Sequence, residues 1–205
     1  LWPENAVSFL LAPNERLRRE IASAVGPGGP PVLLGGPRVD GQGGGRVRFF
    51  NSAWLVESDG AVASVYDKRQ LVPFSEYRPD NLLGRLWDFH PNPGYTPGSE
   101  ATVFTDPAPF GVLICFEAIY PELALPLVRR GARFLVNLTN DEWFGATGAL
   151  EQHFAMTVFR AVETRRALAR VTNTGVTGVV GPTGEVLSRF PAHVRDAWIA
   201  DVPRS

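Results

Sequence analysis

The chain has 205 residues, 44% of them apolar and 20% charged, which is material for one ordinary globular domain spanning 1–205 and argues against disorder. A formal net charge of -1, with no concentrated basic block, gives no electrostatic attraction for nucleic acid, so no nucleic-acid partner is expected. A single cysteine excludes an internal disulfide, and three scattered histidines lack zinc-site spacing, so metal catalysis is disfavoured.

The chain opens on "LWPEN", without initiator methionine or signal peptide, which reads as a piece of a longer protein. In "NERLRREIASAV", Leu17, Ile21 and Ala24 or Val25 recur at helical spacing with arginines opposite, predicting an amphipathic helix. "PPVLLGG" reads as a short buried strand. "RVRFFNSAWLVE" and "AVASVYDK" flank the turn signal "SDG" and predict a β-hairpin. The glycine-rich "GPGGPP" and "DGQGGG" lack the Lys-Ser/Thr ending of a phosphate-binding loop and are loop tips. Residues 72–100 are rich in Pro, Gly and aromatics, with a short helix expected near Leu82 to Trp87; Trp87, Phe89 and Tyr95 there either form a flap over a cleft or anchor the loop.

Strand "FGVLICFE", a helix from "YPELALPLVRRGA", strand "RFLVNLTN" and a helix from about 149 to 166 then follow, the alternation of an α/β sheet with helices outside. The apolar run from Phe110 to Val128 is broken by Glu117, Pro121, Glu122 and Pro126, so it does not span a bilayer. "RALARVTN", "GVTGVVGPTGEVLSRF" and "DAWIADV" read as closing strands, with "PTG" a hairpin turn.

Two residues stand out chemically. Lys68 is the only lysine among twenty Lys and Arg residues. An ammonium is a compact point charge that a planar guanidinium replaces poorly near a reacting centre, although a lone lysine on a solvated face is the alternative. Cys115 lies where an apolar strand gives way to polar residues, at the carboxyl end of a strand in an α/β sheet, where ligand sites form. It is either a nucleophile or a small packed hydrophobe. Glu117 would share its side of an extended backbone, either in a site or as a cap on the following helix. In "TNDEWFG", Trp143 and Phe144 read first as core plugs, Asn137, Thr139 and Asn140 as satisfiers of turn backbone groups, and His153 beyond them as a packed or capping residue.

"LWPEN", "VYDKRQLVPFSEY" and "GVLICFEAIYPE", in that order, resemble the Glu, Lys and Cys motifs of the nitrilase (carbon–nitrogen hydrolase) superfamily. Within it, "YDKRQLVPFSEY", "LVNLTNDEWFG", "QHFAM", "RAVETRR" and "TNTGVTGVVGPTGEV" are similar to the lipoprotein N-acyltransferase branch, over nearly the whole chain. The resemblance implies an α/β fold, a nitrilase-like αββα sandwich, here N-terminally truncated with one edge partly uncovered. It implies a triad of Glu4 as general base, Cys115 as nucleophile and Lys68, with the Phe116 N–H, as oxyanion donor. Glu76 and Glu117 would orient Lys68, the thiol region or an incoming amine, and Trp143 and Phe144 would line an acyl pocket.

No cofactor is implied. The implied partners are a phospholipid acyl donor, a diacylglyceryl prolipoprotein acceptor, and a membrane reached through helices of the parent protein. The implied place is the bacterial inner membrane, with this domain on its periplasmic, outer face. A soluble amidase or carbamoylase using the same triad with water, or a non-catalytic binding module, are the other readings.

Overall fold

A computed structural model of the chain describes residues 1–26, 28–41, 47–79 and 94–204. Helix α1 (Glu15–Ser23) starts at Asn14, whose side-chain oxygen accepts the Leu17 N–H at 3.0 Å, and it buries Ile21 and Ala22. Strands β1 (Val32–Asp40), β2 (Arg48–Val56) and β3 (Val62–Asp67) form an antiparallel sheet in that order. The expected hairpin joins β2 to β3, closed by the Glu57 N–H to Ala61 carbonyl bond and by Gly60 at φ 86°.

The second sheet has six strands, β4 (Val103–Phe104), β5 (Phe110–Ile114), β6 (Phe134–Thr139), β7 (Leu168–Thr172), β8 (Thr177–Val180) and β9 (Val186–Phe190), side by side in chain order. β5, β6 and β7 are parallel, and the outer pairs antiparallel. The crossovers carry helices α2 (Pro121–Arg129) and α3 (Ala149–Thr164).

Strand alternation sets the layers. From the first sheet, Leu33, Ala53, Leu55 and Tyr66 meet Phe110, Val112, Ile114, Phe134, Val136 and Leu138 of the second, making the inter-sheet core. The intervening residues face outward: Val32, Leu34, Trp54 and Val56 pack under Val7, Leu11 and Ile21, while Leu113, Leu135 and Leu168 pack under Ala124, Leu127, Phe154 and Ala161 of α2 and α3. Both faces of each central strand are therefore covered, which is why these strands read as continuous apolar runs. The result is helix, sheet, sheet, helix, the expected αββα sandwich.

Two expectations are corrected. "DAWIADV" forms no strand: Trp198 stacks on Phe190 at 4.5 Å between centroids, Ile199 is fully exposed, and among the described residues no strand pairs with it. The strand before Cys115 stops at Ile114, so Cys115 and Glu117 belong to a 3-10 turn (Cys115–Ile119) and not to one extended backbone. Near its start, the β1 edge is covered by the N-terminal segment. Trp2 N–H donates to Leu33 carbonyl at 2.8 Å, Gly35 N–H to Pro3 carbonyl at 3.1 Å, and Val7 N–H to Gly35 carbonyl at 3.2 Å. The helix expected near Leu82 to Trp87, and Phe89, lie outside the described residues.

Candidate active site

The carboxyl ends of β5, β6 and β7 meet the N-terminal segment and the loop after β3, and this junction holds most of the predicted residues. Glu4 sits in a turn laid against β1 so closely that a Cβ on Gly35 would stand 2.6 Å from Glu4 Cα and 2.7 Å from Pro3 O. Only glycine admits that approach. Glu4 is buried; its Oε1 accepts from Asn51 Nδ2 at 2.7 Å and from Lys68 Nζ at 3.4 Å, and its Oε2 accepts the Asn140 N–H at 2.8 Å.

Lys68, the residue after β3, is 1% exposed, so a solvated face is not its setting. Its Nζ lies 3.0 Å from Oε1 and 2.9 Å from Oε2 of Glu76, bridging the two carboxylates. Glu76 is held in turn by the Val72 N–H at 2.8 Å and by Asn51 Nδ2 at 2.7 Å. Burial by itself would lower the Lys68 ammonium, but Glu4, the Cys115 sulfur and Glu76 outweigh it and hold the group charged, above its ordinary value.

Cys115 is buried at φ 54°, a left-handed conformation at a non-glycine residue, where the chain leaves β5 and turns. The sulfur feels both Glu4 and Lys68. Burial first, then the Glu4 charge, pushes the thiol up to about 12, against the pull of Lys68 and a hydrogen bond with the Thr139 hydroxyl. One ammonium facing two carboxylates leaves the pocket negative, so the resting group is a thiol whose proton must leave as it attacks.

Glu117 is fully buried beneath this turn. Its carboxylate accepts the Ile114 N–H at 2.7 Å, the Arg69 and Gln70 N–H groups at 2.7 and 3.1 Å, and the Tyr66 hydroxyl at 2.9 Å. One side chain thus ties the backbone just after Lys68 to that just before Cys115. Burial pushes its carboxyl up, against those N–H groups and the Lys68 charge. Phe116 is half-buried, its ring 5.1 Å from His153 and 6.0 Å from Phe144. The expected aromatic pair divides: Phe144 packs here, whereas Trp143 is 79% exposed and plugs no core. Tyr95, the described member of the proposed flap, donates its N–H to the Glu76 carbonyl at 2.7 Å.

Under the cysteine lies a buried polar cluster. Asn137 Nδ2 donates to the Leu113 and Cys115 carbonyls at 3.0 and 3.3 Å, bracing the turn. The β6–β7 register pairs Asn137 with Arg170, whose Nη1 donates to Asn137 Oδ1 and whose Nη2 meets Asp141 Oδ2 at 2.6 Å. Asp141 Oδ1 receives the Thr139 hydroxyl at 3.0 Å and lies 2.9 Å from His153 Nδ1. A Cβ on Gly175 would fall 2.0 Å from Asp141 Oδ2, so that loop too requires glycine. Although burial raises the Asp141 carboxyl, His153 and Arg170 bring it below its ordinary value.

Sequence reasoning missed Asn51, Asp141 and Arg170, and gave Asn137 and Thr139 only to turn backbone. A signal existed: Asn51 and Arg170 interrupt apolar strands, and a polar residue buried in such a strand needs partners.

A nitrilase-like sandwich with a cysteine turned out of a parallel strand, beside a buried carboxylate and ammonium, defines the class, and the family model described as carbon-nitrogen hydrolase matches residues 2–205. The chain belongs to the carbon-nitrogen hydrolase family. Similar curated proteins include apolipoprotein N-acyltransferase of Geobacter metallireducens, 38% identical over 200 residues covering 93% of this chain and 37% of that protein, and that of Rhodopseudomonas palustris, 34% identical over 99% of this chain and 39% of the relative. The chain thus spans well under half the length of these relatives. Among solved structures, an amidase from Nesterenkonia sp. AN1, with the acetamide moiety of fluoroacetamide on its active-site cysteine, matches with a TM-score of 0.60 at 22% identity, covering 88% of this chain and 63% of the amidase. That likeness is one of fold. Among the described residues no helix is long and apolar enough to cross a membrane.

Proposed function

We propose that this chain carries the acyl-transfer chemistry of an apolipoprotein N-acyltransferase, with Cys115 as nucleophile, Glu4 as general base and Lys68 as oxyanion donor. The observation that supports it most is Lys68 Nζ, buried between Glu4 and Glu76 and electrostatically coupled to the Cys115 sulfur. Identity with named N-acyltransferases over almost the whole chain favours this activity over amide hydrolysis.

In the first half-reaction the Cys115 sulfur attacks an ester carbonyl of a phospholipid while Glu4 takes the thiol proton. The tetrahedral oxyanion is met by Lys68 Nζ and the Phe116 N–H; a single such donor contributes about 3 kcal/mol in other enzymes. Collapse breaks the ester bond, and the lysophospholipid oxygen leaves with the proton held by Glu4. The resulting thioester is then attacked by the α-amino group of a diacylglyceryl-cysteine at a lipoprotein N-terminus. Glu4 accepts the amine's proton, the amide forms and the sulfur departs, recovering its proton. Glu76 and Glu117 position Lys68 and the cysteine turn, and Phe144 and Trp143 stand beside the acyl chain. No cofactor enters. The parent protein would hold this domain on the outer face of the bacterial inner membrane.

The test is mass spectrometry of the full-length protein in membranes after incubation with phospholipid. An acyl mass on the Cys115 peptide, absent in Cys115→Ala and discharged by a diacylglyceryl peptide, is the expected result. Discharge to water in preference to the peptide would support the hydrolase reading, and no adduct on a folded protein would refute both.

A further inference from the structure

The segment "TNTG" that follows β7 takes no part in the acyl-transfer steps, yet it holds the strand end that supports the base. The β6–β7 ladder stops at the pair Thr139 and Thr172. Beyond it, residues 140 and 141 have no strand partner among the described residues, and side chains set their place. Asn173 does so from the neighbouring strand end: its Oδ1 accepts the Asp141 N–H at 3.0 Å and the Thr174 N–H at 2.9 Å, and its Nδ2 donates to Asn140 Oδ1 at 2.6 Å. The opposite amide orientation would set an NH2 group against two N–H donors, so the chemistry fixes which end meets which partner. The Asn140 N–H in turn donates to Glu4 Oε2 at 2.8 Å, the one hydrogen bond of that oxygen among the described residues. Asn173 is itself exposed, so no packing demand calls for an asparagine there.

We propose that Asn173 is a positioning residue for Glu4: its carboxamide clamps residues 140 and 141 where the ladder ends, so that the Asn140 N–H stays aimed at the Glu4 carboxylate. The proposal rests on Glu4 being the base for Cys115. Glu4 comes from the N-terminal segment, and its carboxylate is pinned at both oxygens, Oε1 by Asn51 Nδ2 at 2.7 Å and Lys68 Nζ at 3.4 Å, and Oε2 by the Asn140 N–H. Released at Oε2, the carboxylate is free to turn about its Cγ–Cδ bond and lose its alignment with the thiol. A carboxamide suits the clamp because one rigid plane carries both an acceptor for the Asp141 N–H and a donor for Asn140 Oδ1.

The test uses the full-length protein in membranes, with Asn173→Ala, Asn140→Ala and the double variant made both with Glu4 intact and in a Glu4→Gln background. The acyl donor is p-nitrophenyl butyrate, an activated ester that needs the nucleophile and the base but no lipid recognition. Its single-turnover reaction is followed as p-nitrophenolate release and as butyryl mass on the Cys115 peptide, between about pH 5 and 9, with Tm recorded alongside. A displacement of about 0.5 Å at the base, half of one that costs a hundredfold, slows acylation about tenfold in Asn173→Ala. Weakening a hydrogen bond to a carboxylate disfavours its charged form, so the acid limb of the rate–pH profile moves upward by about half a unit. Lys68, Glu76, Cys115, Asp141 and Arg170, the charged and titratable groups around Glu4, are the same in every variant, so that movement belongs to the clamp. Asn140→Ala removes the acceptor of Asn173 Nδ2 but keeps its own N–H, so it slows the reaction by less, and the double variant is no slower than Asn173→Ala. In the Glu4→Gln background the same substitutions change the residual rate by less than about twofold.

A folded Asn173→Ala protein that acylates at the wild-type rate with an unmoved acid limb, or a substitution that slows the Glu4→Gln protein by the same factor as wild type, overturns the proposal. Should Asn173→Ala fail to fold, Asn140→Ala is read by the same two outcomes. Thioester formation from vesicles of phosphatidylethanolamine and phosphatidylglycerol is measured in parallel. Acylation by the activated ester that depends on Asn173 and Glu4, in a wild-type protein that takes no acyl chain from the vesicles, supports the clamp and refutes the acyl-transfer reading.

Discussion

Replacing Gly35 by alanine is the sharpest way to ask whether the position of Glu4 matters. The added Cβ would lie 2.6 Å from Glu4 Cα, 2.7 Å from Pro3 O and 2.8 Å from Asn5 N, all backbone atoms that no rotamer change can move aside. An ordinary contact begins near 3.4 Å, so the turn bearing Glu4 must retreat by about 0.8 Å. That retreat works against the contacts of the carboxylate with Asn51 at 2.7 Å, Lys68 at 3.4 Å and the Asn140 N–H at 2.8 Å. A displacement near 1 Å at a reacting group costs about a hundredfold in rate, while the overpacking destabilises the fold by about 1–3 kcal/mol.

Gly36→Ala is the internal control, because its Cβ would meet Val7 O at 3.1 Å, with Leu11 Cδ1 at 3.6 Å and Val7 Cβ at 3.7 Å in ordinary contact. The assay is the single-turnover rate of thioester formation at Cys115, together with Tm. Gly35→Ala is expected to slow acylation about a hundredfold with a modest fall in Tm, and Gly36→Ala to change the rate by no more than a few-fold. Near-normal acylation by folded Gly35→Ala would remove Glu4 from the chemistry.

Lys68→Arg is expected to lose turnover, since a planar fork cannot sit as a point donor between two carboxylates; near-normal turnover would take Lys68 out of the oxyanion site. Asn51→Asp sets a third carboxylate within 2.7 Å of those of Glu4 and Glu76. Like charges raise carboxyl pKa values, so more of the base is protonated at a given pH, and the acid limb of the rate–pH profile is expected to move upward; an unmoved limb would argue that no carboxylate here acts as base. Arg170→Met strands Asp141 without its cation and is expected to cost about 3–5 kcal/mol in denaturant unfolding, with a loss under 1 kcal/mol refuting the cluster's structural weight. The contribution of Asp141 has a definite pH sign. Its folded value is depressed, so that stability is present above about pH 4, its ordinary range, and is lost as pH falls through the lower folded value.

Much of the fold was legible because the core strands announce themselves. "PPVLLGG", "FGVLICFE" and "RFLVNLTN" are apolar on both faces, as strands covered on both sides must be, and "SDG" and "PTG" are turn chemistry that works locally. "DAWIADV" misled for the same reason: alternation marks a segment able to pair, but pairing needs a neighbour, and among the described residues none pairs with it. The two-residue β4 was not foreseen, since so short a strand exists only through its pairing with β5.

The sequence by itself determined the α/β class, most of the elements and a short set of chemically apt residues, Glu4, Lys68, Glu76 and Cys115, through residue type, spacing and likeness to a family's motifs. Only the tertiary structure decided which side chains meet. Glu4 and Asn140 are 136 positions apart yet share a 2.8 Å hydrogen bond, Asn51 serves two carboxylates at once, and Arg170 reaches Asp141 beneath the cysteine. The physical reason is that a buried charge must find its partners wherever the packed layers bring them, so its surroundings are a property of the folded interior and not of its neighbours along the chain.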